Sequence, residues 1–371
     1  MSIDLTQQYI EYRKQRLLSH WTATARGGYD YRKLREMTRD PVVVMGLSII
    51  KLPIMSAEFS VECESPEIAE ACEAELRRTW REFCQKALRA LDFGFCALEK
   101  VFDQQEGRWS IRKWNDSEPE YTIILRTEDG SFAGFRRKTP WSDVIIPAEK
   151  AWVWAWGGEY GNLYGTPYIA PAYRYYIHKE LVILDALRFY EKWGGISAII
   201  RYPYEPDKLM RDSSGNIIRN LNEEKAIEIY DQLRNNAGLI MPALYDEQGN
   251  KLWEIEPLEW RSSAKSAAFL EFLQYLDKRI LLGILIPDQI VLEGKYGSYA
   301  LFDGRQNLLA TNIEGIMEAF ALPIDKYWLN RPEYGFIDLN FGSDAPRARI
   351  KFAPLKDEDR AFLQDIYKIV L

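Results

Sequence analysis

The stretch Trp156–Gly165 reads Trp-Gly-Gly-Glu-Tyr-Gly-Asn-Leu-Tyr-Gly, and Thr166 and Pro167 behind it sign a helix start. Glycines that open onto a helix N-terminus are how phosphate sites are built. The spacing, however, fits neither GxGxxG nor the Walker A pattern. It favours the other reading of Gly157, Gly158, Gly161 and Gly165, a hinge ahead of a long helix. Asp357, Glu358 and Asp359 could do acid–base work, yet Lys356, Arg360 and a helix start beside them make a solvated cap the simpler reading. Arg136, Arg137 and Lys138 could touch a nucleic acid or a partner; they end an expected hairpin, where a wet strand edge is the ordinary reading. Trp152, Trp154 and Trp156 alternate on one strand face, as a buried core or a subunit interface would require.

Metal and nucleophilic chemistry find little material. Cys63, Cys72, Cys84 and Cys96 form no CxxC pair, and His20 and His178 are the only histidines. No zinc site and no Ser/His/Asp or Cys/His constellation is expected. The expectation is therefore no enzymatic activity, no catalytic residue, no metal and no cofactor. Cys72 and Cys84 fall in a helical stretch, where free cysteine packs as a small hydrophobe. Reduced thiols point to a cytosolic setting.

The chain has 371 residues, 47% hydrophobic and 28% charged, which suits a folded soluble protein. Its 12 Trp, 22 Tyr and 16 Phe fit either a large core or an obligate oligomer. The net charge of −7, from 48 basic and 55 acidic residues, argues against a tight grip on phosphates, though not against a wall past which nucleic acid slides. The N-terminus lacks the apolar core of a signal peptide, and no apolar run is long enough to span a bilayer.

Residues 5–25 read as a polar helix or an arm. Asp40 and Pro41 begin a short buried helix that ends before Pro53, and Ala57–Cys63 alternates as a strand. Ser65 and Pro66 open a long helix with an apolar stripe through Ile68, Cys72, Leu76, Trp80, Cys84, Leu88 and Leu91, stopping near Gly94. Hairpins follow at Phe95–Trp114 and Tyr121–Lys138, with one or two strands in Val144–Trp156. A helix of about 40 Å then spans 166–193, with a kink near Pro171. A compact βαββ pattern comes next: strand Ile196–Tyr202, helix Asn222–Asn235, and a hairpin of Leu239–Tyr245 with Leu252–Ile255. A second long helix covers Ser262–Leu282, a loop Ile286–Tyr299, and a third helix Ala300–Leu322. A strand at Ala348–Phe352 and a charged helix from Asp357 close the chain. The class is α+β, organised by two long helices that flank a small α/β insert.

That order, with several local sequences, resembles the portal proteins of tailed bacteriophages, both the Mu-like and the HK97-like groups. The likeness covers most of the chain. It is carried by Arg39-Asp-Pro-Val-Val through Ala57-Glu-Phe-Ser-Val, and by the helix–Gly–strand step Ala87-Leu-Arg-Ala-Leu-Asp-Phe-Gly-Phe-Cys-Ala-Leu-Glu-Lys-Val-Phe. It continues in Tyr164-Gly-Thr-Pro-Tyr, in Leu282-Gly-Ile-Leu-Ile-Pro-Asp, and in Asn340-Phe-Gly followed by Arg349-Ile-Lys-Phe. Each piece is weak alone; their order and spacing carry the likeness.

The resemblance implies a portal fold. Residues 1–165 would be an α/β wing, 166–194 a first stem helix, 195–260 the clip and 261–285 a second stem helix. Residues 286–299 would be a tunnel loop, 300–356 a long helix with returning wing strands, and 357–371 the start of a crown that is short or missing. It implies a ring of about twelve subunits at one capsid vertex, through which double-stranded DNA is packaged and ejected. The implied partners are terminase, a head–tail adaptor, and the major capsid protein or scaffold, with no membrane. The implied location is the virion, and the host cytoplasm during assembly. Within the loop, Glu293, Lys295, Tyr296, Ser298 and Tyr299 would face DNA, with glycines giving freedom; without the resemblance, the same residues read as a surface loop. The rival readings are another head–tail structural or adaptor protein, and an acidic-pair hydrolase.

Overall fold

The computed structural model describes residues 30–105, 107–128, 130–193, 198–202, 209–211, 217–234, 254–257, 262–286 and 299–355. They fall into two units: a larger one within His20–Ile177 and Leu276–Leu371, and a smaller one within His178–Tyr275.

Two aspartates start the larger unit. Asp30 caps α1 (Tyr31–Met37), accepting from the Arg32 and Lys33 N–H groups. Asp40 caps α2 (Pro41–Ser56), accepting from Val42 N–H at 2.9 Å and Val43 N–H at 3.3 Å. Pro41 sits at the first position, where its missing N–H is not needed. The helix was expected to end before Pro53. It runs on to Ser56 with Pro53 inside, because Ile49, Ile50, Pro53 and Ile54 are all buried, and that burial outweighs one lost hydrogen bond. After β1 (Phe59–Glu62), α3 (Pro66–Ala87) lays its expected stripe on the core. A break at Leu88 and Arg89 and a single turn, α4 (Ala90–Phe93), lead to Gly94 at φ +90°. A Cβ there would lie 2.7 Å from the Tyr164 carbonyl oxygen, so only glycine serves.

Two antiparallel sheets follow. β2 (Phe95–Gln105) pairs with β3 (Arg108–Asp116) on one side and β7 (Ala151–Ala155) on the other. β5 (Phe132–Lys138) lies between β4 (Thr122–Arg126) and β6 (Asp143–Pro147). Arg136, Arg137 and Lys138 thus end a central strand rather than an edge, and Arg136 is held by Asp143.

The long helix expected from Thr166 begins later, as α5 (Tyr173–Trp193). Pro171 has no amide hydrogen to donate into a helix begun at Thr166, and the Tyr168 N–H is bonded to the Leu91 carbonyl instead. A 3₁₀ turn at Ala170–Ala172 fills the gap.

In the smaller unit, β8 (Ala198–Arg201) pairs antiparallel with β11 (Glu254–Pro257). Between them come a hairpin the sequence did not announce, β9 (Leu209–Arg211) with β10 (Ile217–Asn220), and α6 (Leu221–Arg234). The Leu239–Tyr245 strand lies outside the described residues. α7 (Ser262–Gly283) matches expectation, and Phe269 on it meets Phe189 of α5 at 5.6 Å. The chain passes between the units within α5 and again within α7.

The larger unit is completed by α8 (Tyr299–Pro323), a wider π turn at Ile324–Leu329, α9 (Phe336–Phe341) and β12 (Arg349–Phe352), which pairs with β1. The charged segment from Asp357 lies outside the described residues. At the centre is Phe83 of α3. Its ring stacks on Phe320 at 5.6 Å and meets Trp114 at 4.8 Å, Trp152 at 4.9 Å and Trp328 at 4.8 Å. Trp152 and Trp154 are buried here, as the core reading of their alternation required.

Side chains close several sheet edges. On the outer edge of β3, Asn340 accepts the Trp109 N–H at 2.7 Å and donates to its carbonyl at 2.9 Å. Glu75 accepts the Ile111 N–H at 2.8 Å while Arg78 donates to the Ile111 carbonyl at 2.6 Å. Lys86 donates to the Trp114 carbonyl. Beside β12, Asn330 does for Ala348 what Asn340 does for Trp109, and Asp325 accepts the Ile350 N–H at 2.8 Å. On β4, the Tyr164 hydroxyl accepts the Ile124 N–H at 3.0 Å. These groups stand where a further strand would otherwise be needed.

Phe83→Ala empties the middle of the aromatic cluster. It is expected to cost about 3–5 kcal/mol, read as a lower urea midpoint of the purified chain with an unchanged slope.

Candidate functional site

The glycine turn is fastened to the body around it. Trp156 N–H donates to the Gly94 carbonyl at 2.8 Å, Thr166 N–H to the Trp156 carbonyl at 2.7 Å, and Tyr168 N–H to the Leu91 carbonyl at 2.8 Å. Gly165 is the tightest point: at φ +57°, a Cβ would lie 2.2 Å from the Gly94 carbonyl oxygen. Gly157, Gly158 and Gly161 lie on the exposed part of the turn, and Arg126 donates to the Gly161 carbonyl. The turn does not open onto a helix N-terminus, because Thr166–Ala172 comes before α5. Its Tyr168 amide is already spent on Leu91. The N–H array a phosphate would need is not assembled.

Of the proposed loop residues, Glu293, Lys295, Tyr296 and Ser298 lie outside the described residues, and Tyr299 is the first residue of α8. Asp357, Glu358 and Asp359 also lie outside them. Cys72, Cys84 and Cys96 are buried, and burial drives all three thiols up, that of Cys72 to about 12, so they stay protonated. Among the described residues, no three His, Cys, Asp or Glu gather as a metal site would require. No described helix is long and apolar enough to cross a membrane.

Sequence reading missed Lys100 on β2, which is 1% exposed. Its Nζ donates to the Tyr327 carbonyl at 2.8 Å and lies 5.5 Å from the Phe102 ring centroid. It borders a cavity of about 580 Å³ with Glu99, Phe102, Trp109, Glu149 and Tyr334. Burial, helped by the Arg331 charge and opposed by Glu149, lowers its pKa from 10.5 to about 7. A neutral amine can begin nucleophilic chemistry. Here it is committed to a carbonyl, and no His, Cys or Ser lines the cavity. Lys100 therefore ties β2 to the π turn. The only sequence signal for it was a lysine in line with Cys96, Leu98 and Phe102 on one face of the strand.

The unfolded chain keeps a proton that folded Lys100 releases between these two pKa values. Stability should therefore rise with pH from about 7 to 10.5. Lys100→Met is expected to flatten that rise, measured as urea midpoints at about pH 7 and about pH 10.

A family model described as the portal protein of Mu bacteriophage matches residues 31–371. Among solved structures, a chain from the neck of an empty gene transfer agent particle computed with C6 symmetry aligns at a TM-score of 0.62 and 13% identity, over 90% of this chain and 88% of that one. A chain of the virion of a native gene transfer agent particle gives 0.62 and 13%, over 96% and 93%. One from the neck of the native particle computed with C12 symmetry gives 0.60 and 12%, over 90% and 88%. At these identities the likeness is one of fold. No curated protein sequence matches the chain.

Proposed function

The chain belongs to the family of Mu bacteriophage portal proteins, and we propose that it is the ring subunit through which DNA enters and leaves the capsid. The observation that carries this is the family match over residues 31–371, supported by a fold shared along nearly the whole chain with particle-neck structures. The C12 and C6 symmetries of those particles support a ring of about twelve copies at one vertex of the virion.

In this reading the larger unit is the wing and α5 and α7 are the stem. The segment 195–260 is the clip, 286–299 the tunnel loop, and 300–356 the long helix with the returning wing strands. A crown would begin at 357–371. The clip would meet terminase and the head–tail adaptor, and the wing the capsid protein or scaffold. Glu293, Lys295, Tyr296, Ser298 and Tyr299 would line the DNA channel. For Gly157, Gly158, Gly161 and Gly165 to act as a hinge of the stem, the hydrogen bonds that hold Thr166 and Tyr168 to the body would have to open. The role is structural rather than enzymatic. A subunit charge of −7 argues against a tight grip on phosphate, and weak, repeated contacts are what sliding needs. Force would come from a separate motor.

Native mass spectrometry with negative-stain imaging is expected to give open rings of about twelve copies. A compact monomer that hydrolyses a glycan or nucleic acid would overturn the reading in favour of a hydrolase. A closed, channel-free assembly would point to another head–tail component. Deleting residues 293–299 is expected to leave ring assembly intact and to impair DNA packaging or retention; loss of rings would make the loop a structural element.

A further inference from the structure

Resting on the ring reading above, we propose that β6, with Trp141 before it, is one half of the contact between neighbouring copies of this chain. Sheet edges attract other strands, and folded proteins close or blunt them. In the larger unit β3, β4 and β12 carry side-chain caps from their own chain. β7 is buried from Ala151 to Trp154, and the exposed positions of β1 are Ser60 and Glu62. β6 differs on every count. It ends its sheet, bonded only to β5, and no described residue hydrogen-bonds to its outer side. It also shows apolar groups to solvent: Ile145 is 62% exposed, Val144 40%, and Trp141 in the turn before it 93%. Burying such a strand is the usual remedy for its exposure, and large aromatics such as Trp141 are the usual anchors.

Charge selects a second copy as the occupant. Arg136, Arg137 and Lys138 flank the strand with Asp143 as their single acidic neighbour in the pairing register, while the chain as a whole carries −7. A locally basic patch on an acidic protein is complementary to most of the surface of another copy. A cyclic ring also needs two different patches per subunit that meet head to tail. Pairing β6 with another β6 would instead give a two-fold dimer that stops growing. β6 is therefore one patch, and the other lies on an acidic flank of the next copy. Three side chains cover less than the roughly 800 Å² per partner of a stable contact, so the strand anchors a wider interface.

The test begins with assembly of the unaltered chain, followed by native mass spectrometry across a concentration series. Trp141→Ala with Ile145→Lys should raise the concentration for half-assembly at least about tenfold, with circular dichroism unchanged, since a lysine on an edge strand blocks pairing. A benzophenone amino acid in place of Trp141, irradiated in assembled rings, should give a covalent pair of this chain. It also decides the matter if the lysine variant fails to fold. Rings that form from the double variant at the unaltered concentration, or irradiated rings without a self-crosslink, overturn this inference and leave the portal reading standing. A crosslink to capsid or adaptor protein instead assigns the strand to that partner and overturns it too. If the unaltered chain forms no rings, both readings fall.

Discussion

Everything in the larger unit depends on the aromatic cluster around Phe83, because it is where two separated stretches of chain become one body. Phe83 and Trp114 come from before the insert, as does Trp152, while Phe320 and Trp328 come from after it. Trp152 and Trp328 meet Phe83 edge-to-face, a geometry their quadrupoles favour. The returning segment adds polar ties at the same place. Trp152 donates its indole N–H to the Pro323 carbonyl at 3.0 Å, and Lys100 donates to Tyr327. The π turn follows from this anchoring: the wider turn at Ile324–Leu329 keeps Ile324, Tyr327, Trp328 and Leu329 all buried.

Such a body is costly to close. The contacts that join β1 to β12 and Phe83 to Trp328 cross most of the sequence, so their loop-closure entropy is spent before their burial is gained. The smaller unit sits inside that loop. Its residues lengthen the loop that the larger unit has to close.

This division also explains what the sequence discloses. Local signals were legible: the Asp40 cap with Pro41, the stripe of α3, the hairpin of β4 with β5, and the extent of α7. Where a local rule was overruled, a tertiary contact overruled it. Pro53 stayed in its helix because its neighbours are buried, and the start of α5 slipped to Tyr173 because Tyr168 is bonded to Leu91. The site was less legible than the fold. The roles of Lys100, Glu75, Asn330 and Asn340 rest on partners far along the chain, and nothing in their own neighbourhood distinguishes them from ordinary polar residues. The glycines at 157–165 stood out as glycines, but their task at Gly165 is close packing on Gly94. The family likeness came from the order of many weak pieces, which composition and periodicity alone do not weigh.

The polar caps bear on assembly as well as stability. Glu75 is buried and its carboxyl is pushed up by desolvation, yet the Ile111 N–H and Arg78 hold it in place. Asp325, pushed up to about 6 by burial, is held in the same way by the Ile350 N–H. A strand placed on β3 or β12 would have to displace these groups and leave a buried carboxylate without its donor, a loss no new backbone pair fully restores. Closing those edges from within therefore does two things. It lets the larger unit stand folded before any partner arrives, and it removes the sites at which copies could pair in the wrong register. What remains open to a neighbour is decided by where the chain did not spend such a residue.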